Sequence, residues 1–306
     1  MNIATREAYG EALKELASNE NVVVLDADLA KATKSIEFKK VAPERFFDMG
    51  ISEADMIGTA AGLATCGKIP FATTFAMFGA GRAFEQIRNS VAYPNLNVKI
   101  AVTHAGVTVG EDGGSHQAIE DISLMRGIPN MVVINPADAV EAKKAVHAAV
   151  EYYGPMYIRF GRAATPVIHN EDYEFKIGKG EVLREGKDVL IVATGIMVSK
   201  SLEAAEILSK ENIEATVVNI STIKPLDVDL IVSLANKIGK VVTAEEHSII
   251  GGLGSAVAEV LSEQCPTKLK RIGISDMFGQ SGTPEALLEY YGLTVNKIVE
   301  EVKSIY

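Results

Sequence analysis

Short runs of β-branched and apolar residues alternate with stretches of helical length along nearly all of the 306-residue chain, and that alternation restricts its possible folds more than any other feature. The runs NVVVLDAD (21–28), PFATTF (70–75), NVKIAVTH (97–104), NMVVINP (130–136) and MYIRF (156–160) are largely apolar throughout, the pattern of parallel strands covered on both faces. Between them, SEADMIGTAAGLATCG, AGRAFEQIRNSVA and ADAVEAKKAVHAAV have helical length and apolar spacing. Together these elements predict one α/β unit over residues 1–172. From about residue 163 the text turns to prolines, glycines and charges with little helical period, and residues 173–186 read as a linker. A second alternation follows: DVLIVATG, ATVVNIST, KVVTAEEH and LKRIGIS, with helices between, predict a smaller domain over 187–306. The expected fold class is α/β, two domains, each a mostly parallel sheet with helices on both faces.

Forty acidic against thirty basic side chains, with no compensating basic run, exclude a nucleic-acid or anionic-membrane partner. The segment MNIATREAYGEALKELA reads as an amphipathic helix with charges throughout and lacks the apolar centre of a signal peptide, so a soluble cytoplasmic protein is expected. Cys66 and Cys265 are too few for a disulfide framework and lack metal-ligand spacing; no metal site is expected on this chain.

Several polar side chains stand where strands give way to helices. Glu53 lies at the turn into a helix followed by Ala, Ile and Met, where its carboxyl would be desolvated and its pKa raised; the plainer alternative is a first-turn acid behind a Ser52 cap. Phe75 and Phe78 close a strand, where core packing is the ordinary role. His104 and His116 bracket a glycine-rich loop leaving a strand's carboxyl end, the usual position for active sites in this architecture. Of the other histidines, His147 reads as a solvated helix residue, His169 as part of the linker and His247 as loop architecture. GGLGSAVAEVL has Gly252 and Gly254 of a dinucleotide fingerprint but Val257 in place of the third glycine; it reads as tight helix–strand packing, with a helix amino terminus still able to hold an anion.

RFFDMGISEADMIGTAAGLATCGKIPFATTF (45–75) and THAGVTVGEDGGSHQAIEDISLMRGIPNMVVINPAD (103–138), with ATREAYGEAL and VVLDADL (23–29), resemble the pyrimidine-binding domain of the transketolase family. STIKPLD (221–227) and EEHSIIGGLGS (245–255) resemble its carboxyl-terminal domain. The resemblance covers essentially the whole chain and implies half of a thiamine-diphosphate-dependent transketolase, since the GDG-type diphosphate and magnesium motif is missing. It therefore implies a partner subunit supplying that amino-terminal half, with Mg2+ on the partner, the cofactor shared between chains, and a homodimer of this chain within a heterotetramer of two copies each. The implied reaction moves a two-carbon ketol unit from a ketose phosphate to an aldose phosphate.

Residue by residue, the resemblance assigns Glu53 to proton donation at the aminopyrimidine nitrogen and Phe75 and Phe78 to stacking on that ring. It places Asp28 near the thiazolium ring, His116 at the reaction centre and Asp112 on a sugar hydroxyl. His104, Arg6 and Arg162 are assigned to the substrate phosphate, with Arg159 a nearby competitor. Two departures stand out: Gly81 where the family often has tyrosine, and ADLAKATKS in place of the text carrying a phosphate-contacting serine, so that Thr33 and Ser35 both remain open. A deoxyxylulose-phosphate synthase fragment or a 2-oxoacid dehydrogenase β-like subunit is the alternative; the former carries an Asp-Arg-Ala-Gly-like segment where this chain reads THAG. A non-catalytic interaction protein of the same fold is a further alternative, against which Glu53 and His116 together speak.

Overall fold

The computed structural model describes residues 1–306 and folds them as two α/β layers systems side by side. The first sheet has seven strands, ordered Thr222–Lys224, Val132–Ile134, Met156–Arg159, Lys99–Thr103, Ile69–Phe75, Val22–Asp26 and Phe46–Asp48. All neighbours run parallel except Thr222–Lys224, which is antiparallel to Val132–Ile134. Alternate residues of these strands enter two separate cores. Val23, Leu25, Ala72, Ile100 and Val102 pack on one face, and Val22, Val24, Phe71, Ala101 and Ile158 on the other, which is why the strands read as continuous apolar runs. The helix Ala139–Glu151 begins at Asp138, whose Oδ1 accepts from the Glu141 amide at 2.8 Å.

The second sheet is ordered Lys268–Ile274, Lys240–Ser248, Val189–Ala193, Ala215–Asn219 and Glu181–Arg184, the last antiparallel. Glu181–Arg184 lies within the stretch read as linker, so that stretch is partly an edge strand of the second domain. Conversely, Thr222–Lys224 comes from the second half of the chain yet closes one edge of the first sheet. The second half of the chain thus lends one strand to the first sheet. A small ribbon, Asn2–Ala4 paired with Ala164–Pro166, ties the two ends of the first domain together.

Residues 80–92, expected as one helix, form instead the wide turns Phe78–Arg82 and Ile87–Ala92 flanking the short α-helical piece Phe84–Gln86. Such π-type turns re-aim side chains and concentrate at functional sites. They begin where the strand Ile69–Phe75 ends, beside the carboxyl ends of Val22–Asp26 and Lys99–Thr103. No helix is long and apolar enough to cross a membrane.

Candidate active site

Glu53 opens the helix Glu53–Thr65, and its side chain is only 4% exposed although it stands in the first turn. Ser52 occupies the cap position without a side-chain hydrogen bond. The Glu53 carboxyl is therefore held inward by the fold and not by the cap. Its one ion-pair partner is Arg82, whose Nη1 lies 3.1 Å from Glu53 Oε1. The Arg82 guanidinium in turn lies 4.1 Å from the centre of the Phe78 ring. Phe78 stacks with Phe75 at 5.8 Å and 20°, and His116 meets Phe78 edge-on at 5.2 Å. The expected acid, both rings and one of the two loop histidines thus form one continuous cluster.

Phe75 connects this cluster to a cationic one, because its ring also stacks on His104 at 3.8 Å. His104 is 3% exposed with φ of 58°, a left-handed conformation that turns its ring back over the strand end. Its Nε2 lies 3.0 Å from Arg6 Nη1 and its Nδ1 2.8 Å from Thr103 Oγ1. A guanidinium only donates, so Nε2 is the acceptor and Nδ1 carries the proton, which it donates to Thr103. Burial first, then the charges of Arg6, Arg162 and His116, push the His104 pKa down to about 3 and keep the ring neutral. Burial also lowers the Arg6 pKa; Glu7 opposes and Arg162 adds to the shift. Arg6 Nε is buried with no hydrogen-bond partner. Arg6, with a spare buried donor and the positive charge of Arg162 acting on it, offers a place that an anion would satisfy.

Arg162 donates to the Val109 carbonyl and stands 3.8 Å from Asp112 and 3.7 Å from Glu111. Asp112 and His116 ride on the loop that follows His104, and the second domain shapes this loop. Gly106 has φ of 79°, and a side chain there would overlap the Glu246 carboxyl. Glu246 Oε1 accepts from the Thr108 amide at 2.7 Å. Gln117 Nε2 donates to the Gln280 carbonyl at 2.9 Å and spans the carbonyls of Val107 and Gly110. The loop's conformation is consequently templated by residues more than a hundred positions away.

Other expected participants are placed elsewhere. Asp28 sits on the exposed turn beyond Val22–Asp26 with φ of 63° and makes no side-chain hydrogen bond, at the same sheet end but outside the connected cluster. Thr33 and Ser35, both left open as phosphate contacts, are fully buried and donate to Asp26 Oδ2 at 2.9 and 2.8 Å. Neither reaches the site. Asp26 itself is pushed up to about 6, chiefly by burial, despite these donors and the Leu29 amide. Arg159 is committed internally, 2% exposed, with Nε 2.8 Å from Asp121 Oδ2 and Nη2 on the Ala118 and Glu246 carbonyls. The amino terminus of the helix Leu253–Gln264 holds no external anion, because Glu245 fills it and accepts from the Leu253 and Gly254 amides at 2.7 and 2.8 Å. His169 is a buried bolt in the linker, its ring nitrogens each 3.0 Å from a carboxylate, Asp138 and Glu181.

Arg82 was missed by the sequence reading, and its signal was present: a lone arginine directly after the glycine that replaces an aromatic residue. Arg82, Asp112 and Arg162 side chains are 53, 41 and 36% exposed, so the cluster lies open on one side. No three His, Cys, Asp or Glu side chains are grouped to hold a metal ion.

Against known families, residues 1–167 match "Transketolase, pyrimidine binding domain" and residues 178–298 match "Transketolase, C-terminal domain". The chain is 53% identical to a putative transketolase C-terminal section of Methanocaldococcus jannaschii, covering 97% of this chain and 96% of that protein. It is 45% identical to the 6-deoxy-6-sulfo-D-fructose transketolase subunit SqwH of a Clostridium species, over 98% of this chain and 94% of the relative. Among solved structures, one described as a split gene transketolase, inactive beta4 tetramer, superposes with a TM-score of 0.93 at 58% identity, covering 99% of this chain and 98% of the other.

Proposed function

The chain belongs to the transketolase family, and on that premise we propose that it is the carboxyl-terminal subunit of a split, thiamine-diphosphate-dependent transketolase. In this reading it moves a two-carbon ketol unit from a ketose phosphate to an aldose phosphate, in the cytoplasm, together with an amino-terminal subunit. The observation that carries the reading is the continuous cluster from the buried Glu53 carboxyl through Phe78, Phe75 and His104 to Arg6. A buried acid beside stacked rings fits the aminopyrimidine of thiamine diphosphate, and the Arg6 and Arg162 guanidinium groups fit a phosphate dianion. When bound, the cofactor supplies the nucleophilic centre and electron sink that ketol transfer requires and that no side chain offers.

The chain's own residues bind, orient and move protons. Glu53 presents its carboxyl to the ring nitrogen from a position closed to bulk water. Phe75 and Phe78 fix the plane of the ring. His116, edge-on to Phe78, stands at the open side and exchanges protons with the substrate's oxygen atoms. Asp112 meets a sugar hydroxyl, and Arg6 and Arg162 grip the phosphate. While Arg6 donates to its Nε2, His104 orients that guanidinium and does not itself donate to the phosphate. We assign Asp28, exposed on its turn, to the thiazolium end, as the family resemblance implies.

The open side of the cluster, and a close relative whose solved assembly is described as an inactive beta4 tetramer, support the need for a second kind of subunit. We assign the diphosphate and Mg2+ to that partner, in a complex of two copies each that contains a homodimer of this chain. The Clostridium relative is named for a sulfonated sugar. We favour phosphorylated sugars here because two arginines match a dianion better than a monoanion. A deoxyxylulose-phosphate synthase role fits less well, since this chain reads THAG where those enzymes carry an Asp-Arg-Ala-Gly-like segment, and a 2-oxoacid dehydrogenase β-like role gives no use to Asp112, Arg6 and Arg162.

Coexpression with an amino-terminal transketolase half, followed by a ketol-transfer assay with thiamine diphosphate and Mg2+, tests the assignment. In the same complex Glu53→Ala should abolish hydrogen–deuterium exchange at the cofactor's thiazolium carbon while the thermal unfolding curve stays within a few degrees of the parent. Unchanged exchange would remove Glu53 from its role.

A further inference from the structure

Arg82 meets the two groups that an aminopyrimidine needs. Its Nη1 donates to Glu53 Oε1 at 3.1 Å, and the same guanidinium lies over the Phe78 ring at 4.1 Å. A guanidinium is flat, delocalised and edged with N–H donors, so it satisfies a carboxyl at its edge and an aromatic ring at its face simultaneously. An aminopyrimidine is also flat and makes the same pair of contacts. The two cannot hold Glu53 Oε1 and that face of Phe78 together. We propose that Arg82 is a built-in occupant of the aminopyrimidine seat, and that its displacement sets how tightly the chain takes its cofactor. The inference rests on the thiamine reading of the site.

Local sequence makes the contact possible. Arg82 ends the wide turn Phe78–Arg82, which brings position 82 back toward the ring at position 78. Gly81, where the family often has a tyrosine, brings no ring of its own; a Cβ there would meet only the Met77 terminal methyl, at 2.9 Å. The Arg82 side chain is 53% exposed, and no other hydrogen bond ties it down. Glu53 is buried but the Arg82 side of the pair is open to water, which screens its charge and lets the guanidinium swing out, so the arginine is displaceable and acts as a competitor rather than a block.

The test uses the full chain titrated with 4-amino-5-hydroxymethyl-2-methylpyrimidine into the millimolar range, followed by ligand-observed NMR, with thermal unfolding as a check on folding. Arg82→Ala should bind the pyrimidine roughly 3- to 10-fold more tightly than the parent. Arg82→Lys, which keeps the charge but loses the flat fork, should fall between them. Raising the salt concentration should tighten binding to the parent and leave Arg82→Ala unchanged. Binding that is lost in Glu53→Gln but equal or weaker in Arg82→Ala would overturn the competitor role while leaving the cofactor reading in place. Absence of binding in the parent and in every Arg82 variant, both alone and in the complex with the amino-terminal half, would overturn both.

Discussion

His247 shows how much a single buried side chain can govern. It is fully buried at the end of the strand Lys240–Ser248, where Nδ1 donates to the Ser248 carbonyl at 2.7 Å and Nε2 accepts from the Ser123 amide at 3.4 Å. Both nitrogens are satisfied by a neutral ring, and a second proton would compete with the Ser123 amide. Burial pulls its pKa down to about 4; Asp121 opposes the shift and Arg159 adds to it. A base whose folded-state pKa is depressed contributes stability that is present above its unfolded value and is lost as pH falls through the folded one. Urea denaturation should therefore show parent stability dropping between pH 7 and pH 4 more steeply than that of His247→Gln, by on the order of 3 kcal/mol. Parallel pH dependences would show that the ring is not the group being titrated. His169 has the opposite sign: burial lowers its pKa, but Asp138, Glu141 and Glu181 outweigh burial and raise it overall. The two histidines that the sequence reading set aside as linker and loop are thus both structural and pH-sensitive.

At the level of elements, the loop between His104 and His116 depends on glycine for two different reasons that one comparison separates. Gly50 and Gly106 both have positive φ, 68° and 79°, but the space around Gly50 is open while Gly106 is pressed against Glu246. Gly50→Ala should cost only the left-handed backbone penalty, about 1 kcal/mol, and Gly106→Ala about 2–4 kcal/mol, measured by thermal or denaturant unfolding. Equal costs would mean that the Glu246 contact yields without strain. This contrast also marks the limit of what sequence could reveal. The parallel strands were legible because burial on both faces leaves an unbroken apolar run, and Glu53 only through the resemblance of GISEADMIG to the transketolase family, since an acid in a helix's first turn is ordinary by itself. Thr222–Lys224 was not, since three residues before a proline carry no period. The broken turns of residues 78–92 were not, because each π-type turn is a single turn of five or six residues, too short for its wider period to stand apart from an α-helical one. Glu246 depends on a contact 138 positions away, which no local pattern records, whereas Arg82, paired 29 positions away, had only the glycine before it as a local sign.

For the molecule as a whole, the second domain acts on the first through the loop it braces. If Glu246 fixes that loop, Glu246→Ala should speed hydrogen exchange at the Thr108 amide and its loop neighbours by tenfold or more, while the amides of the helix Glu53–Thr65 keep their protection. Equal protection in the variant would place the bracing elsewhere, at Gln117 and Gln280. The strand that the second half lends to the first sheet has a further consequence. Without Thr222–Lys224, the Val132–Ile134 strand would present a bare row of amides and carbonyls to any passing β-segment. A cut at the junction of the chain's two halves would therefore not release a clean first domain: it would leave that sheet with a sticky edge that the second half had kept covered.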